Sequence, residues 1–357
     1  MIQPRQGTER ASPSGVELIA GERVGNYRIE CEREASSARI LYEAQHLVVP
    51  RRAIIKVIRT GRAVDQSRVV QALREASILE SIAHAGVPIV YEAGCLRDGE
   101  PWFAVEANTG PTLDVLLRFG PFPLVAVAAL LRDVADILEH AHARGVMHRG
   151  LRPSGVVIAT DGRYPLCLAD WSDAIVHDTA TYVPQLISDA SRSYIAPELL
   201  RDGCGDGENL IDGRVDVFSL GVIAHRALTG GLPFAPGVGA EPYAPSHERR
   251  PDAPRALTAL LDAMLAYRQT DRPSAAEVRA SVELLFTVAT GQHAPAALTV
   301  ETAAAAPLSP EALVALAERQ YVRRPRWTPE VRYAEAIDAT RDEVSDARDP
   351  GPDEFME

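Results

Sequence analysis

The sequence predicts an α+β protein of two lobes, a small β-rich lobe with one helix followed by a larger helical lobe. Three observations predict it. Five short runs rich in Val, Ile, Leu, Tyr and Phe lie between residues 27 and 107 and have the composition of strands. One run with apolar residues at helical spacing, "SRVVQALREASILESIA", interrupts them. From Thr112 onward the spacing is mostly helical.

In chain order, residues 1–22 are polar and contain Pro, Ser and Gly, a composition expected to be disordered. "NYRIECEREASSARILYEAQHL" and "RAIIKVIR" supply three strands, and "VPIVYEAG" and "PWFAVEA" two more after the helix. In the larger lobe "LLRDVADILEHAHARG", "DVFSLGVIAHRALTG" and "RALTALLDAMLAY" are the clearest helices. After residue 288 the composition shifts to an Ala/Pro-rich linker over 289–308, then a helical and acidic tail over 309–357. Two helices are expected in that tail, with Ser309 and Thr328 as N-caps and Pro310 and Pro329 at the first helical position.

Composition narrows the function. At 46% hydrophobic and 24% charged, the chain has the make-up of a soluble globular protein. Its apolar runs fall short of the roughly 20 residues a membrane helix needs, and the opening residues lack the apolar core of a secretory signal. Four cysteines, Cys31, Cys95, Cys167 and Cys204, are too scattered for a zinc site, so reduced thiols and a cytoplasmic setting are expected. The net charge is −12, and the last thirty residues hold ten Asp or Glu against three Arg. An acidic chain without a basic stripe excludes nucleic acid as the expected partner. Of 37 basic residues only one, Lys56, is lysine. Arginine replaces lysine on most surfaces but not where a narrow ammonium must fit, so the position of Lys56 carries information.

"HRGLRPSGV", residues 148–156, raises the functional question. Together with "AIIK" ending at Lys56, Glu75 in "REA", "DWS" from Asp170, "YIAPE" ending at Glu198, "DVFSLGVIAHRALTGGLPF" from Asp216 and "DRPS" around Arg272, it resembles in order and spacing a protein kinase domain of the eukaryotic Ser/Thr type found in bacteria. The resemblance implies a bilobal protein-kinase-like fold over residues 23–288, with the small lobe at about 23–105, a hinge at 106–108 and the large lobe at 109–288. It implies ATP with Mg2+ as cofactor, with Lys56, Glu75, Glu106, Asn108 and Asp170 as nucleotide-binding candidates and Asp170 as the metal ligand. Structural roles are implied for His148 and Trp171 in a hydrophobic spine, for Asp216 as anchor of the catalytic-loop backbone, and for a buried Glu198–Arg272 ion pair.

The sequence departs from that pattern where the chemistry is done. The glycine-rich phosphate cover falls on Glu34, Ser36 and Arg39; glycine lets backbone approach phosphate closely, whereas Glu34 sets a carboxylate there. The stretch is expected to be an ordinary strand turn. The proton-accepting aspartate becomes Gly150, the loop lysine becomes Arg152, and the metal-binding asparagine becomes Gly155. Ile54 stands where the family packs a small alanine over adenine, with Leu41 at the neighbouring valine position and Val105 just before the hinge. Removing a general base costs about 10²–10⁴-fold in rate. No catalytic residue is therefore expected at 150, 152 or 155.

The expectation is a cytoplasmic pseudokinase that acts as a regulatory or scaffolding protein on another protein, modulated by nucleotide, with no nucleic acid and no membrane span. The alternative is a low-activity kinase or nucleotidyl transferase with a rearranged ATP site, using Lys56, Glu75, Arg152 and Asp170, with Asp173 standing in as base. Lys56 keeps two readings, a phosphate ligand or a buried ion pair with Glu75. Thr179 and Thr181 occupy the activation segment and are candidate phosphorylation sites; "VRRPRW" near the end reads as a solvated turn.

Overall fold

The computed structural model describes residues 17–36, 38–59, 73–160, 163–176, 192–200, 211–234 and 245–290, with side chains to 285 in the last helix. The expected N-terminal disorder up to residue 16, the first part of the helix before Leu73, the activation segment with Thr179 and Thr181, and the linker and tail beyond 290 lie outside the described residues. The described chain divides into two compact units: residues up to Leu73 with Tyr91–Ala107, and Arg74–Val90 with the residues from Asn108.

The first unit is a sheet. Its strands β1 (Arg23–Val24), β2 (Tyr27–Ala35), β3 (Arg39–His46), β4 (Arg52–Ile58), β5 (Val90–Cys95) and β6 (Pro101–Glu106) run in the order β1-β2-β3-β4-β6-β5. The alternation of side chains along a strand decides which residues fill the core. On β4, Ala53, Ile55 and Val57 join Tyr27, Ile29, Tyr42 and Trp102 in one apolar cluster. Ile54 and Lys56 therefore share the opposite face of β4. Residues 17–22, expected in the disordered segment, are docked instead: the Leu18 N–H donates to Tyr42 Oη at 3.1 Å and the Gly21 N–H to the Ile29 carbonyl at 2.9 Å.

The second unit is mainly helical. It holds α1 (Arg74–Ile82), α2 (Leu113–Leu116), α3 (Leu124–His142), α4 (Arg214–Thr229), α5 (Ser246–Arg249), α6 (Arg255–Met264) and α7 (Ala275–Thr290), with short strands β7 (Val146–Met147), β8 (Val156–Ile158), β9 (Leu166–Leu168) and β10 (Ile175–Val176). Helix α4 is buried on nearly every side, including the polar Asp216, Ser219 and His225. An all-round buried helix is an interior axis of its domain. Helix α7 runs two residues into the expected linker. One assignment changes. Helix α1, expected in the small lobe, groups with the helical unit, because the Trp171 N–H donates to Glu75 Oε1 at 3.2 Å and His140 Nε2 meets the Ile82 carbonyl at 2.8 Å.

Candidate active site

Strands β7 and β10 pair antiparallel, with Met147 opposite Ile175 and Val146 opposite Val176. Just beyond Met147 the chain enters the loop His148–Arg149–Gly150. Arg149 has φ 62°, a left-handed conformation that costs a side-chain-bearing residue about 1–2 kcal/mol. Asp216 stabilises it from α4: its carboxylate accepts the His148 N–H at 2.8 Å and the Arg149 N–H at 2.7 Å, and meets His142 Nε2 at 2.8 Å. Burial pushes the Asp216 carboxyl pKa up, but the His142 hydrogen bond and charge and the His148 contacts outweigh it and hold the group below the usual carboxylate range. Gly213 makes room for this: a Cβ there would lie 2.6 Å from His142 Cγ. His142 and Gly213 carried no motif signal, since both act through a contact between α3 and the start of α4.

The loop's other anchor is apolar. His148 is buried with its ring 4.5 Å from that of Trp171, which is itself fully buried and donates its indole N–H to the Leu168 carbonyl at 2.7 Å. Burial holds the His148 pKa below the usual imidazole value, so the ring is neutral in the core.

Asp170 follows on the loop after β9. Arg152 Nη2 donates to its Oδ2, and the Ser172 hydroxyl donates to Oδ1 at 2.9 Å. A metal ion would need those carboxylate oxygens and a second ligand. Both oxygens accept hydrogen bonds from the chain itself, and the second ligand position is Gly155. An added Cβ at Gly155 would lie 3.6 Å from Asp170 Cβ, an ordinary contact, so space does not demand glycine there. Among the described residues no group of three His, Cys, Asp or Glu side chains is placed to hold a metal. The Asp170 charge is balanced by Arg152, so a magnesium ion on Asp170 would compete with that ion pair and would need nucleotide phosphate oxygens as further ligands. Ser172, at the glycine of the metal-binding motif, is a second partner that the motif reading did not foresee.

Gly150 is a different kind of glycine. A Cβ added there would strike Asp173 Oδ2 and lie 3.0 Å from both Asp173 Cβ and Cγ. The half-buried Asp173 thus fills the space beside Gly150.

The remaining candidates are spread over the two units. Lys56 is buried on β4, opposite Leu41 on β3 and Phe103 on β6, with Nζ 5.7 Å from the Phe103 ring centroid. Ile54 on the same face is 8% exposed and pairs with Val105. Glu75 lies on α1 in the helical unit. Glu106 ends β6 opposite Ala53, and Asn108 donates its side-chain amide to Cys167 Sγ at 3.0 Å, a partner the sequence did not suggest. At the former glycine-rich cover, the Ser36 hydroxyl bonds the Arg39 carbonyl at 3.0 Å and accepts the Arg39 N–H at 3.1 Å, while Glu34 is exposed. This is a side-chain-tied strand turn. Arg272, with a fully buried side chain, grips Glu198 in two bonds of 2.6 and 2.9 Å and stacks 4.8 Å from the Phe218 ring centroid. No helix among the described residues is long and apolar enough to cross a membrane.

The protein kinase domain family matches residues 40–282. Serine/threonine-protein kinase PknJ of Mycobacterium tuberculosis is 30% identical over 266 residues, which is 72% of this chain and 44% of PknJ. Serine/threonine-protein kinase PknL of the same organism is 29% identical over 210 residues, 58% of this chain and 50% of PknL. The chain thus spans half or less of the length of these curated relatives. Among solved structures, the kinase domain of M. tuberculosis PknI superposes with a TM-score of 0.58 at 24% identity, covering 75% of this chain and 98% of that one. A six-stranded sheet with a buried lysine, a catalytic loop anchored by an aspartate inside α4, and the Glu198–Arg272 pair agree with these matches: the chain belongs to the protein kinase domain family.

Proposed function

We propose that this domain is a catalytically impaired kinase that works in the cytoplasm by binding another protein, as a regulatory or scaffolding element, with nucleotide as a modulating ligand. The observation that carries this reading is Gly150. The catalytic loop retains its anchors, yet the residue those anchors position has no side chain. Phosphoryl transfer depends on positioning and on charge stabilisation by metal. Arg152 on Asp170 and the glycine at 155 weaken the second as Gly150 weakens the first.

One specific observation favours a second reading, slow phosphoryl or nucleotidyl transfer. Asp173 supplies a carboxylate beside Gly150, and the named relatives are serine/threonine kinases. The test of the first reading is an ATP thermal-shift titration of the full chain, with and without magnesium, run beside a transfer assay. Ligand at 100 times its Kd stabilises a fold by about 2.7 kcal/mol, a readable shift. A shift without ordinary kinase turnover supports the proposal, and ordinary turnover overturns it.

A further inference from the structure

The deletion at Gly150 and the carboxylate of Asp173 belong together. Antiparallel pairing of β7 with β10 sets Met147 against Ile175, so the residues just after β7 run beside those just before β10. Trp171 to Ala174 form a turn closed by the Ala174 N–H on the Trp171 carbonyl at 3.0 Å, and Asp173 sits at its third position. Aspartate is well suited to such turns. The turn delivers the Asp173 side chain onto Gly150, where its Cγ is 3.0 Å from the Cβ that an aspartate at 150 would carry. That aspartate's own carboxyl carbon would be about 1.5 Å from the same Cβ. A side chain at 150 would therefore require the Asp173 side chain to shift.

We infer that Asp173 is the transposed proton acceptor of this domain: the carboxylate has moved from the catalytic loop to the turn before β10, and any residual transfer runs through it. This rests on the second reading above and names its residue. In the step, an acceptor hydroxyl gives its proton to the Asp173 carboxylate while its oxygen bonds the γ-phosphorus of a nucleoside triphosphate. The bond from that phosphorus to the β-bridging oxygen breaks, and the nucleoside diphosphate leaves with the electron pair. A larger residue at 150 would have to displace the Asp173 side chain, so an aspartate placed there would disturb this acceptor rather than add to it.

The experiment uses the full chain with γ-labelled ATP, following label on the protein itself and on a generic acceptor protein. Wild type, Asp173→Asn, Asp173→Ala, Gly150→Asp and the double variant Gly150→Asp/Asp173→Ala are compared, each checked for melting temperature. The expected result is slow transfer by wild type. Asp173→Asn should lose about 10²-fold or more. Gly150→Asp alone should gain nothing, while the double variant should transfer at or above the wild-type rate. If Asp173→Asn melts early, the comparison of the double variant with Asp173→Ala decides: gain supports the inference, silence overturns it. Complete absence of transfer by wild type also overturns it and leaves the regulatory reading standing. Ordinary turnover that Asp173→Asn does not change overturns both.

Discussion

Replacing Asp216 with alanine tests whether the catalytic loop is held as a scaffold independent of chemistry. The carboxylate is fully buried and holds two backbone N–H groups, at 2.8 and 2.7 Å, and the His142 ring at 2.8 Å. Each buried donor left without an acceptor costs about 1–3 kcal/mol, and removing one partner of a buried charged contact costs about 3–5 kcal/mol. These contributions share one carboxylate and do not add, so the expected loss is about 4 kcal/mol in total. At about 2–4 °C per kcal/mol for a domain of this size, the melting temperature at pH 7 should fall by roughly 8–16 °C. Asp216→Asn keeps an acceptor oxygen and should lose less. The pH dependence has a definite sign. A carboxyl whose folded pKa lies below its unfolded value contributes stability above the unfolded pKa, about 3.9, and that contribution disappears as pH falls through the folded pKa. The gap between wild type and Asp216→Ala should therefore narrow below about pH 4. Scanning calorimetry across pH measures both. A fall of less than about 3 °C at pH 7, or a gap that widens in acid, would refute the reasoning.

Arg272→Met should destabilise the domain by about 3–5 kcal/mol in urea unfolding, since it strands Glu198, and a further Glu198→Gln change should recover part of the loss. His148 is buried with a depressed pKa, so its contribution is complete above the unfolded imidazole value, about 6.5, and is lost as pH falls from there through the folded pKa; the decline in melting temperature below that pH should flatten in His148→Phe. Arg152→Ala with Gly155→Asn should bind manganese more tightly than wild type, read by electron paramagnetic resonance as a larger loss of the free-ion signal in a titration, because it releases Asp170 from Arg152 and adds a second side-chain ligand.

Residues whose roles are local or chemically unusual were legible before the fold. A single lysine in a chain of arginines marked Lys56, and the motif order marked Glu198, Arg272 and Asp216. Gly150 stood out from the motif for the same reason. What it faces was not legible, because the Asp173 contact depends on the register of two two-residue strands, too short to show any periodicity. His142 and Gly213 were hidden similarly: the helix α3 end and the α4 start meet only once both are packed. The docking of residues 17–22 rests on backbone hydrogen bonds to Tyr42 and Ile29, which composition does not encode. Helix α1 was correctly anticipated as a helix, but its attachment to the helical unit follows from the Glu75 contact with the Trp171 backbone, across 96 residues of sequence.

The central claim is tested most directly by the steady-state rate of γ-phosphoryl transfer from ATP by the purified full chain, with contaminating kinases excluded. Protein kinases typically turn over at about 1–100 per second, and the absence of a carboxylate on Gly150 predicts a rate about 10²–10⁴-fold lower. Turnover within the ordinary range would contradict the account.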